Sequence, residues 1–61
     1  MQLLTVREKE VVRLLAQGLT YEHIALRIDV SHETVKKHLK NIYRKLKVQN
    51  KIEALHRVKL L

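Results

Sequence analysis

Four runs of apolar residues at helical spacing organise the chain. In the first, Val11, Leu14 and Leu15 form a core stripe, with Val6 beside them at the start. Thr5 and Glu8, three apart, predict a capping box in which hydroxyl and carboxylate satisfy orphan amides reciprocally. Gly18 is placed to stop this helix in the left-handed conformation. Thr20 caps a short second helix that buries Ile24, Ala25 and Ile28, although His23 at its third position leaves the box incomplete. After Asp29 and Val30, Ser31 caps a third helix running from about 32 to 46. Its Val35, Leu39, Ile42 and Leu46 fall within about 60° of one another on the helical wheel. Asn50 with Glu53 opens a fourth helix carrying two apolar stripes, Ile52 with Leu55, and Ala54 with Val58 and Leu61. These stripes point more than about 100° apart, so one can close the core and leave the other for a partner.

Composition narrows this to an all-α, compact four-helix domain. The 61 residues suffice for one domain, 1–61, and a chain this short is marginally stable without a staple. Cysteine and proline are absent and Gly18 is the only glycine, which leaves little turn chemistry for hairpins. The lack of cysteine fits a reducing compartment. No apolar run approaches a membrane span and no signal-peptide pattern opens the chain, so the expectation is a cytoplasmic protein with no membrane partner.

Charge changes the picture more. Of 13 basic residues, seven lie between 36 and 51 with no acid among them: Lys36, Lys37, Lys40, Arg44, Lys45, Lys47 and Lys51. The remaining six are matched by six acids, so the whole net charge of +7 sits in one short segment. That is the footprint of a polyanion partner. Lys36–Lys40 and Lys40–Arg44 are like-charge pairs four apart, each costing an isolated helix about 0.2–0.5 kcal/mol. A purely structural helix would interleave acids there, and phosphate contact explains their omission.

Helix two, a tight turn and helix three make a helix-turn-helix at about 20–40, with Ala25 allowing close approach and Ile24, Ile28, Val30, Val35 and Leu39 locking the angle. At this point a specific pattern is visible: Leu4, Thr5, Arg7, Glu8, Glu10 and Val11; Ala16 and Gly18; Ile24 and Ala25; Thr34, Val35, Lys36 and His38; Asn41 and Ile42; Lys45, Leu46 and Val48; Glu53 and Ala54. It spans nearly the whole chain and resembles the LuxR-type DNA-binding domain of bacterial response regulators and quorum-sensing activators. The resemblance implies a third helix in the major groove and a fourth, at 51–60, that makes a dimer. It implies base reading by Lys36, Lys37 and Lys40, and phosphate contacts from Thr34 and from Thr20 and Tyr21 on the other strand. Arg44 and Lys47 are added as phosphate contacts from the charge map. Ala54, Val58 and Leu61 are the expected dimer stripe. The implied partners are a palindromic double-stranded operator, a second copy of the chain, and RNA polymerase, in a bacterial nucleoid. Three positions depart from the family pattern: His23 replaces a common acid, Tyr21 a frequent asparagine and Lys51 the usual arginine.

Other chemistries fare worse. The four histidines form no i, i+4 pair and have no cysteine or clustered carboxylate beside them, so no metal is expected. No nucleophile–base constellation or phosphate-cradling glycine loop exists, so neither catalysis, cofactor nor small-molecule ligand is expected. Glu8 reads as cap and salt bridge, His38 as a packed or phosphate-near side chain, and Tyr43 as packing across the helix. Tyr21 and Tyr43 are too few for a single-strand stacking platform. Two alternatives stay open. The promoter-reading region of a bacterial sigma factor shares the Thr20-to-Ala25 and Glu33-to-Lys36 patterns, but usually ends with its recognition helix. A protein-interaction bundle docking on an acidic surface would share the basic face. The chain is also expected to be the effector part of a longer regulator bearing a receiver, ligand-binding or ATPase domain.

Overall fold

A computed structural model describes residues 4–60, the side chain of Leu60 excepted. It holds four helices and, among the described residues, no strand: α1 (Val6–Ala16), α2 (Tyr21–Arg27), α3 (His32–Leu46) and α4 (Lys51–Leu60).

Each helix begins where side-chain chemistry tells it to. The Glu8 amide donates to Thr5 Oγ1 at 3.1 Å and the Thr5 amide to Glu8 Oε1 at 2.9 Å, the reciprocal box. The His23 amide reaches Thr20 Oγ1 at 3.2 Å and the Thr34 amide reaches Ser31 Oγ at 3.1 Å. At α4 the Glu53 amide bonds Asn50 Oδ1, while Glu53 Oε1 accepts from the Gln49 amide one residue further out, each at 2.9 Å.

The ends follow one backbone device used three times. Gly18, Asp29 and Lys47 take φ of 90°, 58° and 57°. In each case the next amide bonds a carbonyl five residues back: Leu19 to Leu14 at 3.3 Å, Val30 to Ala25 at 2.9 Å, Val48 to Tyr43 at 3.0 Å. These are Schellman closures. The apolar residue after each left-handed position packs on the core. At Asp29 and Lys47 that packing compels a conformation costing an L-residue about 1–2 kcal/mol.

α3 lies at the centre and touches the other three helices. Its Val35 and Ile42 are wholly buried, with Leu39 and Leu46 nearly so, against Val11 and Leu15 of α1 and Ile24 of α2. Ala25 is buried too, at the α2–α3 approach. Val6 departs from expectation: it is 85% exposed, because it lies about 130° around the wheel from the Val11, Leu14, Leu15 stripe. Val12 is buried instead and shares an apolar recess with Leu4 and Val58 where α1 meets α4.

Three polar ties hold the frame. Lys45 Nζ donates to Glu8 Oε1 at 2.7 Å, joining α3 to the amino end of α1. Arg57 Nη1 donates to the Leu46 carbonyl at 3.0 Å, and Arg7 Nη1 to the Ile28 carbonyl at 3.4 Å. Each arginine satisfies a carbonyl at a helix end, where the dipole also favours a cation.

Candidate nucleic-acid interface

The core stripe of α3 turns Val35, Leu39, Ile42 and Leu46 inward, and helical periodicity then sends the basic residues out. Lys36, Lys37, Lys40, Arg44 and Lys47 are all exposed. Among the described residues, the one carboxylate in ion-pair reach of them is Glu33, whose Oε1 lies 4.0 Å from Lys36 Nζ. Both side chains are largely solvated, so the pair is worth at most about 1 kcal/mol and releases Lys36 readily. Lys45, part of the same cluster in sequence, is withdrawn from this face by Glu8.

Tertiary packing brings the start of α2 alongside. Tyr21, Lys36, Leu39, Lys40 and Tyr43 line one shallow open groove of about 250 Å³. Thus Tyr21, expected on the sugar–phosphate backbone, lies beside two of the three expected base readers. Thr20 is exposed next to it. The Tyr21 ring lies 5.9 Å from the His32 ring, tilted by 42°, so the starts of α2 and α3 meet through their first side chains. Thr34 is half-buried and its hydroxyl is shared with Ser31 Oγ at 2.9 Å, which ties this expected phosphate contact to the helix cap. Arg44 stands one turn beyond Lys40. Lys47 lies at the far end of α3, eleven residues and about 16 Å from Lys36.

Tyr43 was legible only as a packing residue. Its ring does pack on the core, but its hydroxyl is buried and has no hydrogen-bond partner among the described residues. Burial, together with Tyr21 beside it, pushes its pKa up to about 12. Neither spacing nor composition signals this, because Tyr21 and Tyr43 are neighbours only in space.

The division of α4 requires a correction. Ala54 is 1% exposed, and Val58 and Leu55 are both half-buried on the core, so each expected stripe has a member packed inward and Ala54 is not free to meet a partner. Ile52, at 78% exposed, is open instead and lines a recess with Val48, Glu53, His56 and Arg57. The small Ala54 allows α4 to lie close, a role the bulkier Ile52 cannot fill. Leu61 lies outside the described residues.

Among the described residues, no group of three or more His, Asp or Glu could hold a metal ion, and no helix is long and apolar enough to cross a membrane.

Residues 2–58 match the family model GerE, bacterial regulatory proteins, luxR family. The chain is 43% identical over 51 residues to the nitrate/nitrite response regulator protein NarL of Escherichia coli (strain K12), covering 84% of this chain and 24% of that protein. It is 50% identical over 52 residues to the probable transcriptional regulatory protein SgaR of Hyphomicrobium methylovorum, covering 85% and 25%. Its fold superposes on the response regulator ChrA of a heme-sensing two-component system with a TM-score of 0.92 and 38% identity, over 98% of this chain and 30% of that one. The chain therefore spans about a quarter of the length of these two curated relatives. These relatives are named as regulators, and the family match runs into α4 as far as residue 58, whereas the sigma-factor alternative usually ends with its recognition helix.

Proposed function

Since this chain belongs to the luxR family of bacterial regulatory proteins, we propose that it is the DNA-binding domain of a transcription regulator that docks α3 in the major groove of duplex DNA. The observation that carries this is the unbroken basic face of α3, exposed over three turns and joined by Tyr21 across the groove. A groove about 12 Å wide admits one helix, and Lys36 and Lys37 on its amino-terminal half, with Lys40 just past the midpoint, then reach base edges. Lysine donates to the O6 and N7 acceptors of guanine. Thr20, Tyr21, Thr34, Arg44 and Lys47 grip phosphates on either side. The domain comprises 1–61 and acts in the bacterial cytoplasm, on the nucleoid.

The test is a titration of duplex DNA at a series of salt concentrations. Each neutralised phosphate contributes a log–log slope of about −0.9, and the basic face suggests about five to eight contacts per domain. A flat salt response removes the DNA reading and leaves the protein-interaction bundle in its place.

On a palindromic operator two copies meet through α4, and the finding that supports this is the exposed Ile52 in its apolar recess. Ile52→Glu sets two carboxylates against each other across the two-fold axis, where like charges are strongly repulsive. It is expected to weaken binding to a full palindrome on the order of tenfold, leaving half-site affinity unchanged. Equal losses on both duplexes would refute an α4 dimer. RNA polymerase is the further partner of a regulator that activates.

A further inference from the structure

The Tyr43 hydroxyl is an anomaly by the usual accounting. A buried donor without a partner costs about 1–3 kcal/mol, and phenylalanine would fill the same space without that cost. The hydroxyl is nevertheless there, in the wall of the groove that also holds Tyr21, Lys36 and Lys40. We infer that Tyr43 is a positioning residue for the DNA contact at the start of α2, its buried hydroxyl orienting Tyr21 so that one backbone phosphate is gripped from α2 and α3 together. The inference rests on the duplex reading above.

The chemistry follows from what a phenol can do. Each hydroxyl has one proton to donate and lone pairs to accept. The Tyr43 oxygen is closed off from solvent, and the Tyr21 hydroxyl beside it is a neighbour to which its proton can turn. Once Tyr43 donates to the Tyr21 oxygen, the Tyr21 proton must point the other way, into the open groove. A backbone phosphate oxygen at the mouth of that groove accepts it, while Lys36 and Lys40 reach past it to the bases. Chained hydrogen bonds polarise one another, so the outer bond is strengthened by the inner one. The Tyr21 ring is also in contact with the His32 ring, 5.9 Å away. The inner hydroxyl finds its partner only when DNA is bound.

This reading sets stability and binding in opposition, which a packing role does not. Tyr43→Phe removes an unpartnered donor and keeps the ring, so the unfolding midpoint is expected to stay level or rise by a few degrees. Affinity is expected to fall about fivefold, the net worth of one hydrogen bond, by the same factor for cognate and scrambled duplexes. Tyr21→Phe should lose as much, and the double variant no more than either single one, because the two hydroxyls act in series. Duplexes carrying one uncharged methylphosphonate at a time give a second readout. One position should weaken the wild-type domain and make clearly less difference to Tyr43→Phe.

Wild-type affinity in Tyr43→Phe would overturn the inference, as would additive losses in the double variant. A fall in stability with every phosphate still felt equally would also overturn it, by making Tyr43 structural. Failure of the wild-type domain to bind any duplex removes the DNA reading itself and this inference with it.

Discussion

Replacing Glu8 by alanine is expected to lower the midpoint of thermal unfolding by about 10 °C, a large loss for a domain of this size. Glu8 is 5% exposed, and one oxygen, Oε1, accepts both the Thr5 amide and the Lys45 ammonium. Alanine removes half of the capping box and leaves Lys45, only 27% exposed, facing a cavity without its counter-charge. A charge-assisted hydrogen bond plus a lost cap bond amounts to about 2 kcal/mol. Burial alone would push the Glu8 carboxyl up, but bonds from Lys45 and Thr5 together hold it below its ordinary value of 4.5. A group lowered on folding contributes stability above its unfolded pKa and loses it as pH falls through the folded one. The wild-type midpoint should therefore drop in acid, below about pH 4.5, by more than that of Glu8→Gln. Glutamine keeps the cap and has no proton to gain. Melting curves of the three proteins from neutral pH to about pH 3 decide this, and parallel curves would show that Glu8 carries no such linkage.

Lys40→Ala is expected to reduce the preference for the cognate operator over scrambled duplex by about 1–3 kcal/mol, the discrimination carried by one good base contact. Lys40 lines the groove with Tyr21 just past the midpoint of α3, one turn beyond Lys36 in the amino-terminal part that a helix-turn-helix inserts deepest. Lys47, at the other end, has left the helical conformation, and in the proposed docking it stands where α3 climbs towards the backbone. Lys47→Ala should thus weaken cognate and scrambled duplexes by similar factors and reduce the salt slope by about one. Both variants are titrated against both duplexes at two salt concentrations, with helicity checked first. A loss of specificity in Lys47→Ala, with only general weakening in Lys40→Ala, would mean that α3 docks in the opposite sense.

The beginnings of the helices were open to a reader of the sequence, and the reason is local. Thr5, Thr20, Ser31 and Asn50 each satisfy an amide three residues on, so cap and target travel together along the chain. Helix ends were harder. Gly18 announces a left-handed turn, but Asp29 and Lys47 adopt one only because Val30 and Val48 are drawn to the core. That pull comes from other helices. The same holds for α4, whose two apolar stripes are nearly equal in sequence. Ala54 permits a close approach that draws in Val58 from one stripe and Leu55 from the other, and leaves Ile52 open. For the interface, the lysines were visible as an uncompensated charge run. Removal of Lys45 by Glu8, thirty-seven residues away, was not. Nor was the meeting of Tyr21 with Tyr43, since a spatial pair leaves no periodic trace.

The bond from Arg57 to the Leu46 carbonyl has a consequence for the operator. Only Val48, Gln49 and Asn50 separate α3 from α4 beyond the left-handed Lys47, and Val48 is packed down. With the guanidinium closing the junction from the far side, the helix proposed to enter DNA and the helix that would meet a second copy form one rigid bracket. Two such brackets joined along α4 make a ruler of fixed length and fixed twist. One base pair added between half-sites turns the second half-site by about 35° about the duplex axis, and the bracket offers no joint to follow it. Spacing would then be read as strictly as sequence, by a part of the protein that touches no base.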